Sequence, residues 1–420
     1  MAEQISLDEK VLYEIAVKGD VRAVDALLNV GASVDGSDEL VTRPLIAAAE
    51  GGWVGCIELL IARGADLEAA LSNSMPVFNA KMQRCIALSE GSRALHAAVV
   101  SEEPAAAAAL IKAGADTNAV DSEGRTPLMA ACLSPSMTKA LLAEGVDATF
   151  SDREGYLALH MAAFGDACDV VSALYTAAPS TLNQLTEDGC TPLSVAAHNG
   201  HVSTTSFLLA RGASDEAVWP RWAVQSSLWG AVERGHEKVV RLLLKDGLRA
   251  TGGGSLAILG AMCRAAERRN ARILQALLAV EGERRERHWA RQIAGNMPML
   301  HYATMFADPA SVQVCLAAGA DENFVTGEGL SASDVVGIRM PPGVRNKRGR
   351  EVAVRRVMKR AAACRARSLA WPQAPGLADA DKSDAVGSSR RKKRVRLGVR
   401  VRPPRTARVF TTHLARYAIK

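Results

Sequence analysis

Residues 121–131 read DSEGRTPLMAA, and a second copy, EDGCTPLSVAAHNGH, occupies residues 187–201. Weaker copies surround both stretches. The Ala pair within four copies recurs at steps of 33, 32 and 34 residues, beginning at Ala97, Ala130, Ala162 and Ala196. A constant period of this length indicates repeated supersecondary units that stack on one another.

A second motif, Leu-Leu-x-x-Gly, lies half a period away and keeps the same step. It reads LLNVGAS at 27–33, LLIARGAD at 59–66 and CLAAGAD at 315–321. Gly31 and Gly64 are 33 residues apart, whereas Gly64 and Gly114 are 50 apart, which is one period plus an insertion. Two independent motifs with one period are hard to produce by composition alone, so we interpret them as two helices of one repeat.

Each motif residue has a physical role in such a helix pair. Thr126 and Thr191 are suited to cap a helix N-terminus, and the Pro that follows each fits the first helical turn. The glycines after the second helix, such as Gly64, are expected to take a positive φ at its C-cap. The Ala pairs permit close approach of neighbouring helices, and Asp121 and Asp152 are expected to open the turns between repeats.

The pattern resembles the ankyrin repeat, about 33 residues of β-turn plus two helices with Thr-Pro-Leu-His opening the first. The resemblance covers about residues 5–340 and implies an all-α, ankyrin-type helical repeat solenoid of about nine to ten repeats. We expect the array to fill residues 1–340, with an insertion at about 71–90 and degenerate repeats after residue 219. The family's His is kept at His96, His160 and His301 and is expected to bond between neighbouring turns.

Two segments follow the array. A helix over about 350–367, within the segment 341–367, is interpreted as a terminal cap; the alternative is a free basic helix that binds a partner. Residues 368–420 are polar, charged and without apolar periodicity, so we expect a disordered tail. Residues 341–420 carry a net charge of +19 and the remainder −13, so an acidic body is joined to a basic tail.

A cluster of six basic residues lies within the tail, and three readings of it stay open. It fits a nuclear import signal, a contact with nucleic acid or an acidic partner, or a solvated tail without a specific role. The six residues are Arg390, Arg391, Lys392, Lys393, Arg394 and Arg396.

The sequence offers no constellation typical of catalysis. It lacks GxxxxGK[ST], HExxH, GxSxG and paired Cys-x-x-Cys motifs, and we expect no enzymatic activity, no catalytic or metal-binding residues and no cofactor. His198 and His201 stand near Cys190, but their places in the repeat favour turn positions over metal ligands. No apolar run reaches membrane-spanning length, and the N-terminus is not signal-like, so we expect reduced cysteines and an intracellular protein, cytoplasmic, nuclear or both.

The family resemblance implies binding on the concave side, through the turn tips and the adjacent ends of the first helices. We therefore predict a non-enzymatic scaffold or adaptor that binds another protein, and the acidic body favours a basic contact surface on that partner. The alternative is a nuclear regulatory protein whose tail directs import or contacts nucleic acid; no membrane or small-molecule substrate is expected. The candidate partner-binding residues are Ser122, Glu123, Arg125, Arg153, Glu154, Tyr156, Phe164, Glu187, Asp188, Cys190, His198 and Asn199.

Overall fold

The computed structural model describes residues 2–36, 43–72, 75–79, 84–214, 226–246, 254–283, 298–326, 329–338 and 347–366. The first ten helices are α1 (Ala2–Lys18), α2 (Val21–Val30), α3 (Pro44–Glu50), α4 (Val54–Ala62), α5 (Ala94–Val100), α6 (Pro104–Lys112), α7 (Pro127–Ala130), α8 (Pro135–Ala143), α9 (Ala158–Phe164) and α10 (Cys168–Ala177). A short 3-10 helix, Pro179–Asn183, then precedes α11 (Pro192–Asn199), α12 (Val202–Ala210), α13 (Ser227–Arg234), α14 (Glu237–Asp246), α15 (Gly254–Glu267), α16 (Ala271–Glu283), α17 (Met299–Met305), α18 (Pro309–Ala317) and α19 (Lys347–Ala366).

Consecutive helices form nine pairs in the part of the chain that the structure describes, from α1 and α2 to α17 and α18. Helix contacts divide these residues into two compact units, one ending at Val195 and the other beginning at Ala196. In the first unit, α3, α5, α7 and α9 pack in sequence, and so do α4, α6, α8 and α10. In the second unit, α13, α15 and α17 form one layer, and α12, α14, α16 and α18 form the other. The fold is the expected all-α helical repeat solenoid.

Local residue chemistry sets the helix ends. The Thr126 hydroxyl accepts a hydrogen bond from the Met129 amide at 3.3 Å, and α7 begins at Pro127. Thr191 accepts from the Ser194 amide at 3.0 Å in the same way, ahead of α11. Both predicted N-caps are therefore confirmed.

The predicted glycine C-caps are confirmed as well. Gly64 has a φ of +86° just beyond α4, where the Ala65 amide donates to the Leu60 carbonyl at 3.0 Å. Gly114 and Gly319 take the same left-handed conformation after α6 and α18. A side chain at these positions would be strained, which explains why Gly recurs in the motif.

The insertion between α4 and α5 folds as an antiparallel hairpin of β1 (Met75–Asn79) and β2 (Arg84–Leu88). Its base is closed by two backbone hydrogen bonds, from the Leu71 amide to the Ser92 carbonyl and from the Gly91 amide to the Leu71 carbonyl, both 2.9 Å. Because α3 packs on α5 and α4 on α6 across this point, the hairpin interrupts the sequence period and leaves the stack continuous.

The array ends in a turn and a long helix. Residues 331–338 form turns, with a bridge between Val325 and Ser331, so the partial tenth repeat has no helix among its described residues. Helix α19 packs against α18 and buries Val354, Met358 and Ala361. This packing is compatible with a terminal cap, which remains our proposal. The predicted tail and its basic cluster lie outside the described residues.

Candidate functional site

The turns that lead into α7, α9 and α11 share one hydrogen-bonding scheme. The Asp121 carboxylate accepts from the amides of Glu123 and Arg125, each at 2.9 Å. In the next turn, the Asp152 carboxylate accepts two backbone amide hydrogen bonds in the same way. In the third turn, a threonine takes the place of the aspartate, and the Thr186 hydroxyl accepts from the Cys190 amide at 3.1 Å. A buried acceptor therefore shapes each turn from inside, so the intervening side chains are directed outward.

Histidines join each turn to the following repeat. His96 accepts at Nδ1 from the Arg93 amide (3.3 Å) and donates from Nε2 to the Arg125 carbonyl (3.0 Å). His160 makes the equivalent pair of bonds, and its Nε2 lies 3.2 Å from the Cys190 carbonyl. Burial lowers the pKa of His160 to about 4, so the ring is neutral and serves as a structural connector.

Direct turn-to-turn hydrogen bonds set the register. The Ser122 amide donates to the Glu90 carbonyl at 2.8 Å, and the Glu187 amide donates to the Glu154 carbonyl at 2.9 Å. Side chains at matching turn positions therefore form a regularly spaced row. We call the row formed by Ser122, Glu123, Arg153, Glu154, Glu187 and Asp188 the acidic turn face.

These six candidates have accessible side chains. Ser122, Arg153 and Glu187 are exposed, and the other three are partly buried. Together they hold four carboxylates and one guanidinium, so the row has an acidic excess.

Two predicted contact residues are wrong because they lie in the core. Tyr156 is 1% exposed and packs edge-on against His160 at a ring-centroid distance of 5.8 Å. Cys190 is 0% exposed, and its carbonyl accepts the His160 bond. Both residues occupy the fifth position of their turns, where the chain enters the first helix and the side chain packs into the stack.

Arg125 is held inside its own turn. Its guanidinium lies 2.7 Å from the Asp121 carboxylate, 2.6 Å from the Ser89 hydroxyl and 3.6 Å from Glu123. The side chain is only 18% exposed. Arg125 therefore stabilises the turn and offers little surface to a partner.

The remaining candidates stand at first-helix ends. Phe164 is partly buried at the end of α9 in the first unit. His198 and Asn199, both partly buried, belong to the second unit at the end of α11. His198 accepts from the Arg234 guanidinium at 3.1 Å, and burial together with Arg234 and His236 lowers its pKa to about 4.

The second unit contains an ionic network that the sequence reading missed. Glu233 on α13 pairs with both Arg264 and Arg268 of α15. Glu267 of α15 pairs with Arg264 and accepts from the Tyr302 hydroxyl of α17. The Arg264 guanidinium also stacks on the Trp229 ring, 5.6 Å from its centroid. The contacts between helices join residues 31 or 35 positions apart, so only a comparison at about the repeat spacing could have revealed them.

Charge within the array is also segregated. Residues 1–200 hold 12 basic and 27 acidic residues, whereas residues 201–340 hold 16 basic and 14 acidic ones. The acidic body expected from the whole-chain count is therefore confined to the first six repeats. The later repeats present a different charge to their surroundings.

No arrangement suited to catalysis stands out in the described residues. No group of three or more His, Cys, Asp or Glu side chains there could hold a metal ion. Burial raises the pKa of the Cys132 and Cys315 thiols to about 12, which makes them poor nucleophiles. Among the helices described, none has both the length and the apolar character needed to cross a membrane.

A family model for ankyrin repeats matches residues 12–121, 95–181 and 159–251, which together span more than half of the chain. Ankyrin repeat protein nuc-2 of Neurospora crassa is 28% identical over 191 residues, 46% of this chain and 17% of that protein. The mouse B-cell lymphoma 3 protein homolog is 31% identical over 159 residues, 36% of this chain and 35% of that protein. Human ankyrin and armadillo repeat-containing protein is 37% identical over 97 residues, 22% of this chain and 7% of that protein. The chain thus spans about a third or less of the length of these relatives, and with its repeat geometry and the family match it belongs to the ankyrin repeat family.

Proposed function

We propose that this chain is a non-enzymatic scaffold or adaptor that binds a partner protein through the acidic turn face. Ankyrin repeats are in general protein–protein interaction modules, and the family is typically non-enzymatic. The observation that carries the proposal is the register of the turns, since the Glu187–Glu154 backbone bond aligns two turns of the face and the Ser122–Glu90 bond joins the other turn to the one before it. A surface that is already ordered loses little conformational entropy on binding.

The charge of this face defines the partner. Its four carboxylates lie in a unit with a strong acidic excess, which favours partners that present Lys or Arg and accelerates their association at low salt. Exposed ionic contacts contribute modestly one by one, so several turns must act together.

The test is affinity capture with the full-length chain, followed by charge reversal. The triple variant Glu123→Lys, Glu154→Lys and Glu187→Lys should lose its basic partners. The matched control reverses three exposed acidic residues away from the turn tips, Glu14→Lys, Glu58→Lys and Glu144→Lys, and should retain them. Equal retention by both variants would show that the acidic turn face is not the binding surface.

The alternative function, a nuclear regulatory protein, is supported by the basic cluster at residues 390–396. Deletion of residues 388–405 from a fluorescent fusion should then shift the protein out of the nucleus, and an unchanged distribution would remove the import hypothesis. A tail that contacts nucleic acid should bind DNA with an affinity that falls steeply as salt is added.

A further inference from the structure

A second surface, opposite in charge to the acidic turn face, lies in the second unit. Four arginines gather where the turn between α13 and α14 meets the turn between α15 and α16. We call this set the basic turn surface; it comprises Arg234, Arg268, Arg269 and Arg272.

Ion pairs between the two turns position Arg268 and Arg272, and the Arg234 guanidinium donates to His198 of the preceding repeat. Glu233, beside Arg234, forms an ion pair with Arg268. Glu237 of α14 lies 4.0 Å from the Arg272 guanidinium of α16. Between them, a Cβ built on Gly235 would lie 3.6 Å from the Asn270 side-chain amide. The four guanidinium groups outnumber the three carboxylates nearby, which belong to Glu233, Glu237 and Glu267, so the surface keeps a positive excess.

Three of the four arginines are exposed, and Arg269 is partly buried. The side chains of Arg268 and Arg272 are 50% and 55% exposed. Each guanidinium carries five N–H donors, and one carboxylate partner leaves donors directed to solvent.

Arg269 occupies a backbone position that disfavours it. Its φ is +57°, at the turn position where the two preceding repeats have Gly200 (+83°) and Gly235 (+79°), and where Ala307 (+47°) follows in the next one. A left-handed conformation costs a non-glycine residue about 1 kcal/mol or more. Glycine therefore fits this position without strain, which makes Arg269→Gly a substitution that removes the cation and spares the fold.

Aromatic side chains contact the neighbouring charged residues Arg264 and Glu267. Trp229 is partly buried under Arg264, and Tyr302, bonded to Glu267, packs against Phe306 at a ring-centroid distance of 5.4 Å. Both Trp229 and Tyr302 retain some exposure. The surface thus combines guanidinium donors with aromatic contact area, the combination that is enriched where proteins bind one another.

We propose that the basic turn surface binds an acidic peptide segment of a partner protein that carries aromatic side chains among its carboxylates. Each guanidinium can donate two parallel hydrogen bonds to one carboxylate of the peptide, and Trp229 and Tyr302 supply the apolar contact. Glu233, Glu237 and Glu267 lie between the arginines, so the separate carboxylates of a peptide fit the spaced guanidinium groups better than the unbroken charge of a phosphate backbone. This surface shares no residue with the acidic turn face, so either proposal can fail alone.

The experiment uses the full-length chain and a fluorescein-labelled peptide of Glu-Glu-Phe repeats, with binding followed by fluorescence anisotropy at low salt. The double variant Arg269→Gly and Arg272→Gln should bind roughly tenfold more weakly or worse. The matched control removes two exposed cations from the first unit, Lys112→Gln and Lys139→Gln, and should bind as the parent does. A Gln-Gln-Phe peptide should not bind.

Arg269→Gly alone separates function from folding. Glycine relieves the positive φ, so the melting temperature should hold or rise while the affinity for the peptide falls several-fold. Failure of the Glu-Glu-Phe peptide to bind, or equal binding by the parent and the double variant, would overturn the proposal. Tighter binding of a single-stranded oligonucleotide at the same arginines would also overturn it, in favour of a nucleic-acid surface.

Discussion

At the scale of single residues, the motif histidines show how the stack handles buried polar groups. His160 is 0% exposed, and both ring nitrogens have a hydrogen-bond partner, which is possible only for the neutral ring with its proton on Nε2. His96 makes the same pair of hydrogen bonds two interfaces earlier, between its own repeat and the next. Each ring therefore connects two repeats and depends on staying uncharged.

Acid should therefore weaken the array through His160. Its pKa is about 4 when folded and about 6.5 when unfolded, so the unfolded chain binds more protons between these values. The His160 contribution is complete above about pH 6.5 and is lost as the pH falls towards 4, by about 3 kcal/mol in total. Chemical denaturation at several pH values, compared between the parent and His160→Gln, should show a smaller pH dependence in the variant. An NMR titration that places the His160 pKa near 6.5 would contradict this.

In the ninth repeat, the motif histidine lacks one of these two hydrogen bonds because a proline occupies the position of the donor. His301 donates from Nε2 to the Leu330 carbonyl at 3.2 Å, but its buried Nδ1 has no hydrogen-bond donor among the residues that the structure describes. The residue that donates in the other repeats is Arg93 or Leu157, whereas here it is Pro298, which has no N–H.

Pro298→Leu should therefore stabilise the second unit. The new amide satisfies a buried acceptor, a gain of about 1–3 kcal/mol, and the lost proline rigidity costs about 0.4–1 kcal/mol. We expect a net gain of about 1 kcal/mol by chemical denaturation. In a His301→Leu background the acceptor is absent, and the same substitution should be neutral or destabilising. An equal effect in both backgrounds would disprove the missing-donor explanation.

At the scale of elements, the hairpin of β1 and β2 shows that an insertion need not break a repeat array. It leaves the stack at Leu71 and returns at Gly91 and Ser92, and the two bonds at its base bring the ends together. Helix α3 packs directly on α5, although the hairpin lies between them in the sequence. The entropy cost of closing a loop increases only slowly with the length of the loop, so an insertion at such a point is tolerated.

Removal of the hairpin should leave the fold intact. Residues 73–87 can be replaced by a short Gly-Ser linker, with the buried Leu71 and Leu88 retained. We expect unchanged helical circular dichroism and a melting temperature within about 5 °C of the parent. Deletion of residues 127–141, of the same length, removes most of one helix pair and should disrupt the array. Comparable disruption by both deletions would mean that the hairpin is part of the core.

At the scale of the whole molecule, stability is expected to be local, because each repeat buries its apolar surface against adjacent ones. Leu60 in α4 and Leu277 in α16 are both 0% exposed, and truncation of either to Ala should cost about 2–5 kcal/mol. Hydrogen exchange should increase around α3 to α6 in Leu60→Ala and around α15 to α18 in Leu277→Ala. A uniform increase along the whole chain in both variants would instead indicate one cooperative globule.

Charge at this scale follows position along the chain. The acidic turn face belongs to the first unit, and the basic turn surface belongs to the second. A single net charge of +6 conceals both. The chain therefore offers separate surfaces to partners of opposite charge, and each can be tested without disturbing the other.

The sequence by itself determined the repeat, its period and most helix ends, because Thr, Pro, Gly and Asp act on backbone groups only a few residues away. The resemblance also anticipated the histidine bridges, which recur at the repeat spacing. Tertiary structure alone decided that Tyr156 and Cys190 point inward, that Arg125 serves its own turn, and that Glu233 meets Arg264 and Arg268 across 31 and 35 residues. These outcomes depend on which side of a turn faces the next repeat, and that is settled only when the neighbouring helices pack.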